Sequence, residues 1–138
     1  MAELWRFGVS LEKDLLDKFD SLSRKRSYNN RSKAIADLIR KDLIKEEWQS
    51  GKEIAGAITF IYDHHKRELM NKIVDIQHNY GDVILSTQHI HLDHDNCLEI
   101  VAVKGSSKKI QDLANKIGAI KGVKHATLGM SSTGKRIG

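Results

Sequence analysis

His89-Ile90-His91, with Cys97 six residues downstream and His78 upstream, is the part of this 138-residue chain best equipped for chemistry. On a strand, side chains two apart point to the same side, so His89 and His91 project together at a spacing of about 6.6 Å. The intervening Asp93-His94-Asp95-Asn96 is rich in turn formers and would reverse the chain, bringing Cys97 beside His91 on a neighbouring strand. Imidazole nitrogen and thiolate sulfur suit late first-row divalent ions such as nickel, copper and zinc, whereas magnesium and calcium want oxygen. Each half of the pattern is weak alone: His-x-His is often only an exposed strand face, and a lone cysteine is most often a small buried hydrophobe. The conjunction within nine residues is what points to a metal centre.

The rest of the composition bounds the setting. There is no proline and no low-complexity stretch, so the chain should be folded throughout. The apolar stretch Ile54 to Tyr62 is too short to span a bilayer, and Glu3, Arg6, Glu12 and Lys13 occupy the place of a signal-peptide core. One cysteine forms no intrachain disulfide and needs reducing surroundings to serve as a ligand, so a soluble cytoplasmic protein without a membrane partner is expected. The net charge of +5 is unevenly spread. Residues 1–50 hold 11 Lys+Arg against 9 Asp+Glu, residues 51–103 hold 4 against 8, and residues 104–138 hold 8 against 1. The acidic middle carries the candidate ligands, and the basic total permits nucleic-acid binding without requiring it.

The elements that must position these residues follow from periodicity. Trp5, Phe7 and Val9 alternate with Arg6, Gly8 and Ser10, which predicts a half-buried strand over residues 4–10. Leu15, Leu16, Phe19 and Leu22 recur at helical spacing and stop before Ser27-Tyr28-Asn29-Asn30. A second helix starts at Asn30, a suitable N-cap, with Ala34, Ile35, Leu38, Ile39 and Leu43 as its stripe, and fades between Trp48 and Gly51. One strand and two helices bury too little alone, so this head should dimerise. Two copies pairing their strands antiparallel would offer Arg6, Gly8 and Ser10 on a ribbon that fits a DNA major groove. Asn30, Arg31 and Ser32, at the positive end of the second helix, could hold a backbone phosphate.

A boundary is expected at Gln49-Ser50-Gly51, giving a head of residues 1–50 and a tail of residues 51–138. The tail reads as strand Ile54–Tyr62, helix His64–Asn79, strands Val83–Leu92 and Cys97–Val103, helix Ser107–Gly118 and strand Val123–Met130. Inward positions are Leu69, Ile73 and Ile76 on the first helix and Ile110, Leu113 and Ile117 on the second. The order βαββαβ is the ferredoxin-like split arrangement, so the fold class is α+β.

A βαα head joined to a βαββαβ tail carrying His-x-His-x5-Cys resembles the NikR family of nickel-responsive repressors. The motifs that carry the resemblance are Tyr28-Asn29-Asn30-Arg31-Ser32, His65-Lys66-Arg67, Thr87-Gln88-His89-Ile90-His91 and Asp95-Asn96-Cys97-Leu98-Glu99-Ile100. The resemblance implies a ribbon-helix-helix head, an ACT-type tail and a homotetramer built as a dimer of dimers. It implies one nickel(II) per chain, held by His89, His91 and Cys97 of one subunit and His78 of a neighbour; His78 has no such role by its own spacing. Glu99 would support the site through hydrogen bonds, and Lys66 and Arg67 would meet DNA phosphate. The implied activity is nickel-dependent binding of a palindromic double-stranded operator that represses nickel uptake. Four protein ligands leave no open position for substrate, so an enzyme is not expected. A different class, a ribbon-helix-helix regulator sensing another metal or an amino acid through its ACT domain, is the alternative.

The chain departs from the family at three points. Lys33 stands where some members carry a glutamate that, with the acid matching Asp37, helps bind a second cation; a lysine there would repel that cation, and no such site is assigned. His78 is followed by Asn79-Tyr80-Gly81 and not by more histidines, which removes auxiliary ligands. Gly8 stands where members often place a threonine, so operator reading there differs. His64, His65, His94 and His125 are further candidate metal contacts.

Overall fold

The computed structural model describes residues 2–138. The chain divides into two units, one ending at Leu43 and taking in the terminal Gly138, the other spanning Ile44–Ile137.

The first unit holds helix α1 (Lys13–Lys25) and most of helix α2 (Arg31–Gln49). Ser27, with φ 65°, turns the chain between them. Asn30 Oδ1 accepts the Lys33 backbone N–H at 2.8 Å, so asparagine caps α2 as its side chain suggests. The strand expected over residues 4–10 is not formed in the single chain, where residues 2–12 carry no regular element. The physical reason is that a lone strand has no neighbour to complete its hydrogen-bond ladder. The expected inner face consequently faces solvent: Trp5 is 81% exposed, Phe7 74% and Val9 60%.

The second unit is a four-stranded antiparallel sheet of β1 (Glu53–Tyr62), β2 (Ile84–His91), β3 (Cys97–Ser106) and β4 (Val123–Met130), in the order β2-β3-β1-β4. Helices α3 (Arg67–Asn79) and α4 (Ser107–Ala119) complete the βαββαβ sequence. Alternation decides which face is covered: Ile54, Ile58, Phe60 and Tyr62 of β1 and Cys97, Val101 and Val103 of β3 are buried. They form one core with Leu69 and Ile73 of α3 and Ile110, Leu113 and Ile117 of α4. Trp48, at the end of α2, joins that core and donates its indole N–H to the Ser131 carbonyl at 2.8 Å.

Helix α3 begins at Arg67 rather than at His64, and the reason is local. Asp63 Oδ1 accepts the His65 backbone N–H at 2.9 Å, an Asx turn that spends residues 63–66 on a bend before the helix. No helix among the described residues is long and apolar enough to cross a membrane.

Candidate metal centre

The sheet register builds the site. Cys97 pairs with Tyr62 of β1 on one side and His91 of β2 on the other, and Glu99 pairs likewise with Phe60 and His89. Residues opposite one another on antiparallel strands point to the same face, so two parallel rows reach the sheet edge: Tyr62, Cys97, His91 and Phe60, Glu99, His89. The β2–β3 turn that sets this register is held by Asp93, whose Oδ1 accepts the backbone N–H groups of Asp95 and Asn96, each at 2.9 Å.

Cys97 is buried, and its sulfur lies 3.7 Å from His91 Nδ1 and 3.2 Å from His64 Nδ1. The Asp63 turn is what swings His64 over the sulfur. Donor atoms of His64, His91 and Cys97 all lie within 4.8 Å of one another, and the His64 and His91 rings meet edge to face at 4.6 Å. Burial pushes the Cys97 thiol up from its ordinary value, and the nearby charges of Asp63, Glu99 and Asp93 add to this. Burial lowers His64, with His65 and His91 contributing. A neutral imidazole and a thiol beside carboxylates are the donors a divalent cation converts into ligands, because the cation offsets the charge that resists thiolate formation. Two imidazoles and a sulfur fit a late first-row ion and do not fit magnesium or calcium.

In the single chain His89 does not join that cluster, although it shares the strand face. Its Nδ1 stands 2.7 Å from Glu99 Oε1 and its Nε2 2.8 Å from the Tyr62 hydroxyl. Glu99, 4% exposed, also accepts from Gln77 Nε2 at 2.5 Å and from the Tyr62 hydroxyl at 3.3 Å. Burial, followed by the charge of Glu99, pushes the Tyr62 phenol upward, so it stays protonated and able to donate. His78 sits exposed in the last turn of α3, next to Gln77, and belongs to none of the donor clusters among the described residues.

The other candidates spread over both units. Arg6, Gly8 and Ser10 are exposed, and nothing lies within 4 Å of where a Gly8 Cβ would stand. Arg31 forms a two-pronged pair with Asp20, Nε to Oδ1 at 3.0 Å and the second nitrogen to Oδ2 at 2.7 Å. Ser32 is exposed in the first turn of α2; Lys66 and Arg67 are exposed at the start of α3. Lys33 Nζ lies 2.8 Å from Asp37 Oδ1, so the chain's own ammonium engages the acid. His65 groups with His94 and Asp95 on one side and with Asp63 and His64 on the other, its ring 4.0 Å from that of His64, and His125 contacts the Thr127 hydroxyl at 3.0 Å. Tyr62 is the residue that periodicity did not single out; its place on the inner face of β1, in register with Cys97, was the available signal.

Residues 55–131 match the family model described as the NikR C-terminal nickel-binding domain. A relative from Syntrophus aciditrophicus is 60% identical over 98% of both chains. One from Desulfovibrio desulfuricans is 52% identical over 98% of both, and one from Chlorobium limicola is 51% identical over 97% of this chain and all of that one. All three are provisionally named nickel-responsive regulators. An uncharacterized protein of Thermotoga maritima superposes with a TM-score of 0.51 at 17% identity, covering 56% of this chain and 95% of its own, a likeness of fold alone. With its nickel-binding domain matched and full-length relatives at this level of identity, the chain belongs to the family of nickel-responsive regulators, whose business is regulation and not catalysis.

Proposed function

We propose that this protein is a nickel-dependent, DNA-binding repressor of nickel uptake that acts in the cytoplasm as a homotetramer, a dimer of dimers, with one nickel(II) per chain. Residues 1–50 serve as the ribbon-helix-helix head and residues 51–138 as the ACT-like nickel-binding tail. The observation that carries the reading is the pairing of His91 with Cys97 across β2 and β3, with His89 one row away on the same face. His89, His91 and Cys97 of one chain and His78 of a second copy would hold the ion. Nickel bound there would tie two chains together, so its occupancy would bias their arrangement.

The chain's own residues do the rest. Glu99 orients His89 and reaches through Gln77 to the helix turn that carries His78, so a displacement of one ligand is felt at the other. The exposed Trp5, Phe7 and Val9 face is covered when two heads pair their strands, which turns Arg6, Gly8 and Ser10 toward base edges and phosphate. Since Asp20 occupies the Arg31 guanidinium, phosphate contact at the start of α2 falls to its backbone amides and to Ser32, with Lys66 and Arg67 contributing from the tail.

One observation favours a second reading, in which another metal is sensed. His64 Nδ1 lies closer to the Cys97 sulfur than His91 does, so a single chain offers three donors that would suit tetrahedral zinc. Selection of bound fragments from genomic DNA, with and without nickel(II), tests the main reading. Recovery of a palindromic sequence only with nickel, abolished in Cys97→Ala, supports it; equal recovery without metal contradicts it.

A further inference from the structure

His78 stands exposed in the last turn of α3, and a group that holds that turn in place lies two residues further on. Tyr80 is 8% exposed and belongs to the core of the second unit, so its ring is packed and its hydroxyl must find a partner. The hydroxyl donates to Asp112 Oδ2 and accepts from Lys116 Nζ at 2.8 Å. Asp112 and Lys116 lie four apart on α4, share one helix face and pair with each other at 3.4 Å. The Lys116 ammonium also stands 5.2 Å from the centre of the Tyr80 ring, and that of Lys109 5.9 Å. The Tyr80 hydroxyl, with Lys116 adding, holds the Asp112 carboxyl below its ordinary value, so the acceptor stays charged and the bond is charge-assisted.

The backbone couples Tyr80 to His78. Tyr80 N–H donates to the Gln77 carbonyl at 3.2 Å and Gly81 N–H to the His78 carbonyl at 3.3 Å, so a movement of Tyr80 carries His78 with it. Beyond the turn, Val83 N–H returns to the Tyr80 carbonyl at 3.0 Å, and Lys104 N–H of β3 donates to the Val83 carbonyl at 2.8 Å. Lys109 Nζ of α4 reaches Asp82 at 2.5 Å. The core grips α3 through Leu69 and Ile73, more than a turn before His78. Past them and the partly buried Ile76, the helix end is set by Gln77 on its β3 side and by Tyr80 on its α4 side.

A histidine that serves the site of another copy has no neighbouring donor in its own chain to steer it, so the ordering cost falls on the helix end that bears it. An end fastened to α4 is ordered before the ion arrives. We infer that Tyr80, fastened by Asp112 and Lys116, is a positioning residue for the nickel ligand His78. The inference rests on the reading in which His78 completes the site of a second copy. Tyr80 is no ligand itself: its hydroxyl is taken up by α4, and it acts on the ion only through where it places the His78 imidazole.

Nickel(II) affinities of the reduced full chain, measured by competition with chelators of graded strength, test this in wild type, Tyr80→Phe, His78→Ala and the double variant, with circular dichroism as the check on folding. Tyr80→Phe keeps the buried ring and removes only the hydroxyl. It should weaken nickel binding roughly three- to tenfold, keep the thiolate absorption, and cause no further loss in the His78→Ala background. Asp112→Ala removes the acceptor from the exposed side of α4 and should reproduce both results, which keeps the test standing if Tyr80→Phe does not fold. A purely structural role gives the same loss with and without His78; that additive result, or wild-type affinity in both Tyr80→Phe and Asp112→Ala, would overturn the inference. Wild-type affinity in His78→Ala is a different failure: it removes His78 from the site, and the inference falls with the ligand reading.

Discussion

The Glu99 carboxylate joins His89 to Gln77: one oxygen lies 2.7 Å from His89 Nδ1 and the other accepts from Gln77 Nε2 at 2.5 Å. A buried acid thus spans β3, β2 and α3 and fixes the orientation of a ring that would otherwise rotate freely at an exposed edge. Replacing Glu99 with Gln keeps the volume and removes the charge. Nickel affinity should fall by about 10- to 100-fold with the fold retained, as for other groups that hydrogen-bond to a ligating histidine. Unchanged affinity in a nickel titration would remove Glu99 from the site.

Arg6 is exposed and belongs to the unit that lacks the metal donors. Arg6→Ala should weaken operator binding and flatten its salt dependence, while nickel stoichiometry stays as in wild type. Anisotropy measurements at several salt concentrations would check this; an operator affinity equal to wild type would exclude Arg6 from the DNA-reading set.

Asp37 gives the head an acid-sensitive anchor. The Lys33 ammonium, then the Tyr28 hydroxyl and Arg40, hold its carboxyl down from 3.8 to about 2. A depressed folded-state value contributes stability that is complete above the unfolded value and is lost as pH falls through the folded one. Thermal unfolding followed between pH 5 and pH 2 should show the decline beginning near pH 4, and Asp37→Asn should show a shallower decline over the same window. Parallel curves would contradict the assignment.

Gly56 is set by close approach. A Cβ there would stand 2.5 Å from the Gly129 carbonyl oxygen, a backbone atom of the paired strand β4 that cannot turn aside. Gly56→Ala should cost about 1–3 kcal/mol, seen as a Tm lowered by several degrees. A melting temperature equal to wild type would show that β4 yields without penalty.

The parts of the fold that were legible in the sequence are those fixed by short-range periodicity within one chain. The apolar stretch Ile54 to Tyr62 marked β1 as a strand, helical spacing gave Leu69, Ile73, Ile110, Leu113 and Ile117 their inward face, and the Asp93 to Asn96 turn set His91 against Cys97. What escaped depends on side chains in turns and on neighbours outside the chain. Asp63 diverts residues 63–66 from the helix and swings His64 toward the sulfur, and no periodicity reports where a turn residue points. The segment 4–10 has no neighbouring strand to complete its ladder, and His78 belongs to none of the donor clusters among the described residues; its proposed role requires a second copy of the chain. Tyr62 closes a continuous apolar stretch that shows no inner face, and only the strand register places it in a row with Cys97.

The proposed nickel centre is tested most directly by an absorption titration of the reduced apo-protein with nickel(II), in wild type and Cys97→Ala. The expected result is one tight equivalent per chain, with an intense thiolate-to-nickel charge-transfer band and a diamagnetic complex in wild type, and loss of both band and tight binding in the variant. Tight nickel binding without the band, or an unchanged band in Cys97→Ala, would contradict it.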